Sequence, residues 1–148
     1  GGVEILLDYA HNPDGLRGLL QIGRTLAGPR GRLGLLLGQA GNREDEAIRA
    51  LARTAAAAGP DLVVLKDLPG YLRGRASGEV PALLLDELRS AGLEEIQLRV
   101  VLAELEAARS LLAWAQPGDV LVLPVHGPKA REQLVTFLDL IAETASGG

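Results

Sequence analysis

Five short apolar runs, each followed by a stretch of helical periodicity, constrain this chain more than any other feature. The runs are Val3 to Tyr9, Leu33 to Leu37, Leu62 to Leu65, Ile96 to Val101 and Val120 to Val125. Val3 to Tyr9 is apolar without alternation, as a strand buried on both faces must be, whereas Ile96 to Val101 alternates like a strand nearer an edge. After the first run, Asn12-Pro13 opens a helix, with Asn as N-cap and Pro at the first helical position, where its missing N–H loses nothing. Leu16, Leu19, Leu20 and Leu26 follow as one apolar stripe. Gly23 falls on that stripe, where a missing side chain lets the helix approach a sheet. Further helices are expected over about 44–58, 80–91, 102–115 and 129–143, the last burying Leu134, Phe137, Leu138 and Ile141. This alternation predicts an α/β fold. The expected form is a Rossmann-like three-layer sandwich, a mainly parallel sheet of about five or six strands with helices on both faces.

At 148 residues the chain suits one domain, 1–148. It begins Gly1-Gly2-Val3-Glu4 without an initiator methionine, so it is expected to be a piece of a longer protein. The composition, 47% hydrophobic and 23% charged, is that of a folded chain and not a disordered one. The net charge of -4 argues against a nucleic-acid footprint. The absence of cysteine excludes a disulfide scaffold, a thiolate metal site and a cysteine nucleophile. With two histidines, a histidine-rich metal site is excluded as well, and no metal ligands are assigned. No apolar run approaches the roughly 20 residues of a membrane helix. With no signal peptide visible, a cytoplasmic location is expected.

Right-handed crossovers place the loops that follow the strands on one side of such a sheet, where ligands bind. Polar residues gather in those loops: Asp8, His11 and Asn12 after the first strand, Asn42, Arg43 and Asp45 after the second. Asp67, Tyr71, Arg73 and Arg75 follow the third strand, and His126 and Lys129 the last. In the first cluster the helix start offers N–H groups and a positive dipole end to a phosphate. Asp8 suits ribose hydroxyls, and His11 suits a phosphate oxygen or, alternatively, plain packing. Asn12 caps the helix whatever else it does. Gly38-Gln39-Ala40-Gly41-Asn42-Arg43 is glycine-rich but has no lysine, and the chain contains no phosphate loop of the Gly-Lys-Ser/Thr kind. The chain is therefore not expected to hold a triphosphate and Mg²⁺ in the usual way unaided.

Asp8-Tyr9-Ala10-His11-Asn12-Pro13 resembles the opening motif of the C-terminal domain of the Mur ligase superfamily. Gly41-Asn42-Arg43-Glu44-Asp45 and Gly118-Asp119-Val120-Leu121-Val122 resemble later motifs of the same domain, in order. Leu72-Arg73-Gly74-Arg75 followed by Gly78-Glu79-Val80 looks most like cyanophycin synthetase and its relatives. The resemblance implies ATP-dependent joining of an amino acid to a carboxylate. In it, a central domain holds the phosphate loop and Mg²⁺, and the C-terminal domain closes over ATP and binds the incoming amino acid. By resemblance, Asp8, His11, Asn12 and Arg43 are ATP-binding. Arg73 and Arg75 are substrate-binding, gripping an amino acid or acidic peptide through guanidinium pairs, or alternatively belong to a solvated surface loop. His126 and Lys129 join them from the last loop. The sequence there, Val125-His126-Gly127-Pro128-Lys129, departs from the Gly-Lys-Gly-His-Glu of muramyl-peptide ligases. The Asp-Asn-Pro-Arg signature that reads diaminopimelate is absent too, which turns the expectation toward a cyanophycin-like substrate.

The implied cofactors are ATP and Mg²⁺, held mainly by a central ATPase domain of the same protein. No nucleic acid and no membrane partner is implied. No ligase activity is expected of this chain alone. Two other readings stand beside this one. The first is a stand-alone, non-catalytic binding or interaction module of the same fold. The second is a phosphatase-like enzyme with Asp8 as nucleophile, which needs a second acid two residues on, where this chain has Ala10.

Overall fold

Apolar side chains at both parities of a strand must be covered on both sides, and the architecture follows from that requirement. The computed structural model describes residues 2–8, 12–41, 43–68, 72–124, 131–136 and 138–140, with Asp8 placed by its backbone. The strands are β1 (Glu4–Asp8), β2 (Leu33–Leu37), β3 (Leu62–Leu65), β4 (Leu98–Val100) and β5 (Val120–Pro124). The helices between them are α1 (Pro13–Ala27), α2 (Asp45–Ala57), α3 (Glu79–Ser90) and α4 (Glu104–Trp114). Residues 131–136 and 138–140 are also helical. The five strands form one sheet in the order β1-β5-β2-β3-β4, and every pair is parallel.

The period of two divides the core. Leu33, Leu35, Leu37, Val63, Leu65, Val120 and Val122 point to one face and pack with Leu16, Leu20, Ile48, Leu51, Leu84 and Leu88 of α1 to α3. Leu36, Leu62, Val64, Leu121 and Leu123 point to the other and pack with Ala107, Ala108 and Leu111 of α4 and with Leu134. Two glycines let helices approach. A Cβ at Gly23 would lie 3.0 Å from Val122 Cγ2, as its place on the α1 stripe predicts. One at Gly34 would lie 2.8 Å from Leu121 Cδ2 and 3.0 Å from Leu111 and Trp114 on the α4 side.

Three expectations change in detail. β1 lies at an edge of the sheet with Ile5, Leu6 and Leu7 half-buried, so it is not the strand buried on both faces that its apolar run predicts. Leu26 is exposed, and the buried stripe of α1 is Leu16, Leu19, Leu20, Gly23 and Ala27. At 100° per residue Leu26 lies roughly 80° from Leu16, past the edge of the stripe. Ile96 belongs to a 3₁₀ turn, Glu95–Gln97, and is exposed; the strand begins at Leu98. The capping box of Glu94 and Gln97 holds that turn and delays the strand.

Below the sheet, at the amino ends of the strands, buried Asp119 accepts from Arg32 N, Nε and Nη2 at 3.0, 3.1 and 2.6 Å and from Gln116 N at 2.9 Å. The Arg32 guanidinium also lies 4.0 Å from the centroid of the Trp114 ring. Burial alone would raise the Asp119 carboxyl, but the guanidinium and the two N–H groups outweigh it and hold it below its ordinary value. The Gly-Asp that precedes β5 is therefore a brace that ties the entries of β2 and β5 to the end of α4.

Candidate functional site

The loops that leave the carboxyl ends of the strands divide between the two faces. Those after β1, β2 and β3 lead to α1, α2 and α3, which pack on one face, while α4 and Leu134 of the segment beyond β5 pack on the other. β5 stands between β1 and β2. At its carboxyl end the chain thus turns opposite ways on neighbouring strands, the topological switch point at which open α/β sheets bind ligands. The carboxyl ends of β1 and β2, from which the first and second polar clusters follow, share this rim, separated by the width of β5, roughly 10 Å.

Asp8 ends β1, in register with Pro124 of β5. Asn12 caps α1: its Oδ1 accepts from Gly15 N at 2.8 Å, and its carbonyl accepts from Leu16 N at 3.0 Å. Pro13 has no N–H, so Asp14 N is the one first-turn donor without a partner among the described residues. Among the described residues the start of α1 therefore offers a dipole and a single N–H, fewer donors than a phosphate cradle uses. His11, Asn42, Tyr71, His126 and Lys129 lie outside the described residues.

The second and third loops are built into one another. A Cβ at Gly41 would lie 1.9 Å from the carbonyl oxygen of Leu72, so only glycine fits there. Arg75 closes the junction. Its Nε donates to Gly41 O at 2.9 Å, Nη2 to Arg43 O at 2.9 Å and Asp45 Oδ1 at 2.7 Å, and Nη1 to Glu79 Oε2 at 2.7 Å. The Arg75 side chain is 17% exposed. Arg75 is thus brought together with Arg43, but through the backbone, and its guanidinium is engaged in holding a loop. Arg73, two residues earlier, is exposed and has a left-handed φ of 53°, a conformation uncommon outside glycine. Arg43 is exposed.

Beneath the rim lie four buried polar side chains: Gln39, Lys66, Asp67 and Glu104. The pleat of β3 continues past Leu65 and sends its next two residues to opposite faces. Lys66 goes to the α4 face, where its Nζ pairs with Glu104 in the first turn of α4. Burial pushes the Lys66 ammonium down to about 7. Asp67 goes to the α3 face. Its Oδ2 accepts from Gly78 N at 2.7 Å and Ser77 Oγ at 3.0 Å, and its buried Oδ1 has no partner among the described residues. Gly78, in a left-handed conformation, starts α3 with no cap of its own, so Asp67 supplies the carboxylate that the helix dipole favours. The Lys66–Glu104 pair escaped the sequence reading. The available signal was Glu104 itself, the first member of an i, i+3, i+4, i+7 stripe completed by Ala107, Ala108 and Leu111.

Among the described residues no three carboxylate or histidine side chains come together to hold a metal ion. A cleft of about 1000 Å³ runs between α1 and α2, past Leu20, Arg24, Arg53 and Ala57, and reaches the rim only at Pro13. No described helix is long and apolar enough to cross a membrane.

Residues 1–124 match the family model of the Mur ligase, glutamate ligase domain. The chain belongs to the Mur ligase family. It is 32% identical over 125 residues to UDP-N-acetylmuramoyl-L-alanyl-D-glutamate--2,6-diaminopimelate ligase of Corynebacterium efficiens, covering 82% of this chain and 23% of that enzyme. It is equally 32% identical over 123 residues to cyanophycin synthetase of Crocosphaera subtropica, covering 83% of this chain and 13% of that protein. The chain thus spans less than a quarter of either relative. Its fold is that of a crystallised domain from Haemophilus ducreyi, assigned to a UDP-N-acetylmuramate:L-alanyl-gamma-D-glutamyl-diaminopimelate ligase. The TM-score is 0.58 at 17% identity, with 92% of this chain and 91% of that one covered. The family relationship expected from the motifs at Asp8, Gly41 and Gly118 is therefore shown for the chain. The Mur ligase fold explains two of them structurally, Gly41 as the contact with Leu72 and Asp119 as the brace below the sheet.

Proposed function

We propose that this chain is the lid-forming C-terminal domain of an ATP-dependent acid–amino-acid ligase, closing over ATP and helping to bind the incoming amino acid. The observation that supports the reading is the place of β5 between β1 and β2, which brings the carboxyl ends of those strands to one rim where the crossovers change face. ATP, when bound, supplies the phosphoryl group that activates a carboxylate before an amine displaces phosphate. The chain's own part is to bind and orient. Asp8, His11, Asn12 and Arg43 line the nucleotide side. Arg73, His126 and Lys129 face the amino-acid or acidic-peptide substrate, and Arg75 contributes by holding the loop that bears Arg43.

The described residues fit a nucleotide only in part. Among the described residues, the single N–H at the start of α1 is too little to hold a triphosphate, and no carboxylate cluster suits Mg²⁺. Both belong chiefly to the central ATPase domain of the longer protein. Closure of such a lid excludes water and completes a site that neither half forms alone.

Calorimetric titration of the chain with ATP should give weak binding, Kd on the order of 1 mM, equivalent to about -4 kcal/mol. Phosphate release from ATP should be absent. In the full-length protein that carries this chain, Asp8→Ala or His11→Ala should raise KM for ATP while circular dichroism stays unchanged. Unaltered ATP kinetics in both variants would overturn the reading.

A further inference from the structure

Lys66 and Glu104 form a buried ion pair that joins the exit of β3 to the first turn of α4, on the α4 face of the sheet directly under the rim. Around Lys66 the exits of three strands are laced together. Lys66 N donates to Leu37 O at 3.0 Å, Asp67 N to Leu102 O at 3.0 Å and Val101 N to Leu65 O at 2.9 Å. The lysine stem passes over Gly38. A Cβ there would lie 3.1 Å from its Cγ and 3.2 Å from its Cε, so Gly38 leaves the space that the stem occupies. The next residue, Gln39, is buried too, and its Oε1 accepts from Ala40 N at 2.9 Å. Glu104 sits at the first position of α4, where the helix dipole favours a carboxylate.

A buried ion pair contributes little stability over a well-packed apolar pair of the same volume. What it adds is a short, directional link. We propose that the Lys66–Glu104 pair is a positioning device for the rim, fixing the exits of β2 and β3 against the first turn of α4. The loop that starts at Gly38 and carries Arg43 is thereby held in one place. The value of that placement for ATP rests on the function proposed above; the placement itself does not.

The test uses amide hydrogen exchange in the 148-residue chain, followed by NMR. Variants are Lys66→Met, which keeps most of the stem, Glu104→Gln, and the double variant K66M/E104L, which removes both charges. Ala40, Asp67 and Val101 report on the rim, and Leu35 and Val64 on the sheet centre. In each folded variant the three rim amides should exchange at least tenfold faster, with the two central amides changed less than twofold. A merely structural contribution would instead accelerate all five by one factor. That result, or unchanged rim amides, overturns the proposal. Should a single variant fail to fold, the double variant decides by the same criteria. ATP titration of the same variants should show affinity weakened about fivefold. A wild-type chain that binds no ATP would sink the nucleotide reading, while the exchange data would still decide this one.

Discussion

Replacing Arg75 by alanine distinguishes a strut from a substrate contact. The substitution removes four hydrogen bonds, two to carboxylates and two to backbone carbonyls. The carboxylates of Asp45 and Glu79 are 65% and 45% exposed, so each ion pair is worth at most about 1 kcal/mol, and less in salt. A hydrogen bond from a charged donor contributes about 1.5–3 kcal/mol, and the bond to Gly41 O, in the part-buried junction, should approach that range. The bond to Arg43 O is exposed and adds less. Together these give a loss of about 3 kcal/mol for Arg75→Ala. With a urea m-value of about 2 kcal/mol/M, the midpoint should fall by about 1.5 M. Arg75→Lys should recover only a minor part, because an ammonium cannot span two carbonyls and two carboxylates as the planar fork does. If Arg75 instead gripped a substrate, the ligand-free protein would keep its stability and only binding would suffer. A midpoint within about 0.3 M of wild type, with m unchanged, would refute the strut.

Asn12→Ala should cost about 1 kcal/mol in urea unfolding, since it frees Gly15 N at the start of α1; no change would show that Pro13 alone sets the helix start. Gly34→Ala should lower stability by about 1–3 kcal/mol, read as a drop in Tm, because its Cβ meets Leu121, Leu111 and Trp114 at 3.0 Å or less. Lys66 makes stability depend on pH. Its native value of about 7 lies below the ordinary 10.5, so between those values the unfolded chain holds a proton that the native one lacks. Stability should therefore rise with pH above 7, by at most about 1.4 kcal/mol per unit, and Lys66→Met should flatten the rise in chemical unfolding at pH 7 to 9. Contact with the Glu104 carboxylate acts in the opposite direction and reduces the slope.

The fold was legible because β2, β3 and β5 are apolar at both parities and each helix carries one stripe. Leu33 to Leu37 admits no solvated face, so helices must cover both. The site was legible only to the level of loops. Arg73 and Arg75 look equivalent in sequence, two arginines flanking a glycine. The junction of Gly41 with Leu72 separates them, because it brings two carbonyls within reach of Arg75. That contact spans about thirty residues of sequence, and no local pattern encodes it. Lys66 and Glu104 were hidden differently. A lysine after a strand reads as a solvated loop residue until the pleat turns it under the sheet.

The division of labour at the rim follows from backbone chemistry. Pro13 removes one donor from the first turn of α1, Asn12 takes a second through its side chain and a third through its carbonyl. A helix start so nearly satisfied cannot compete with water for a triphosphate. It can offer the Asp14 N–H and its dipole to charge that is already held by something else. Arg43 is exposed on a loop anchored at Gly38 and Gly41, held in position with its guanidinium at the surface. Among the described residues this surface has few free donors, a braced loop and an exposed cation, which suits the proposed lid role of meeting a nucleotide already held elsewhere.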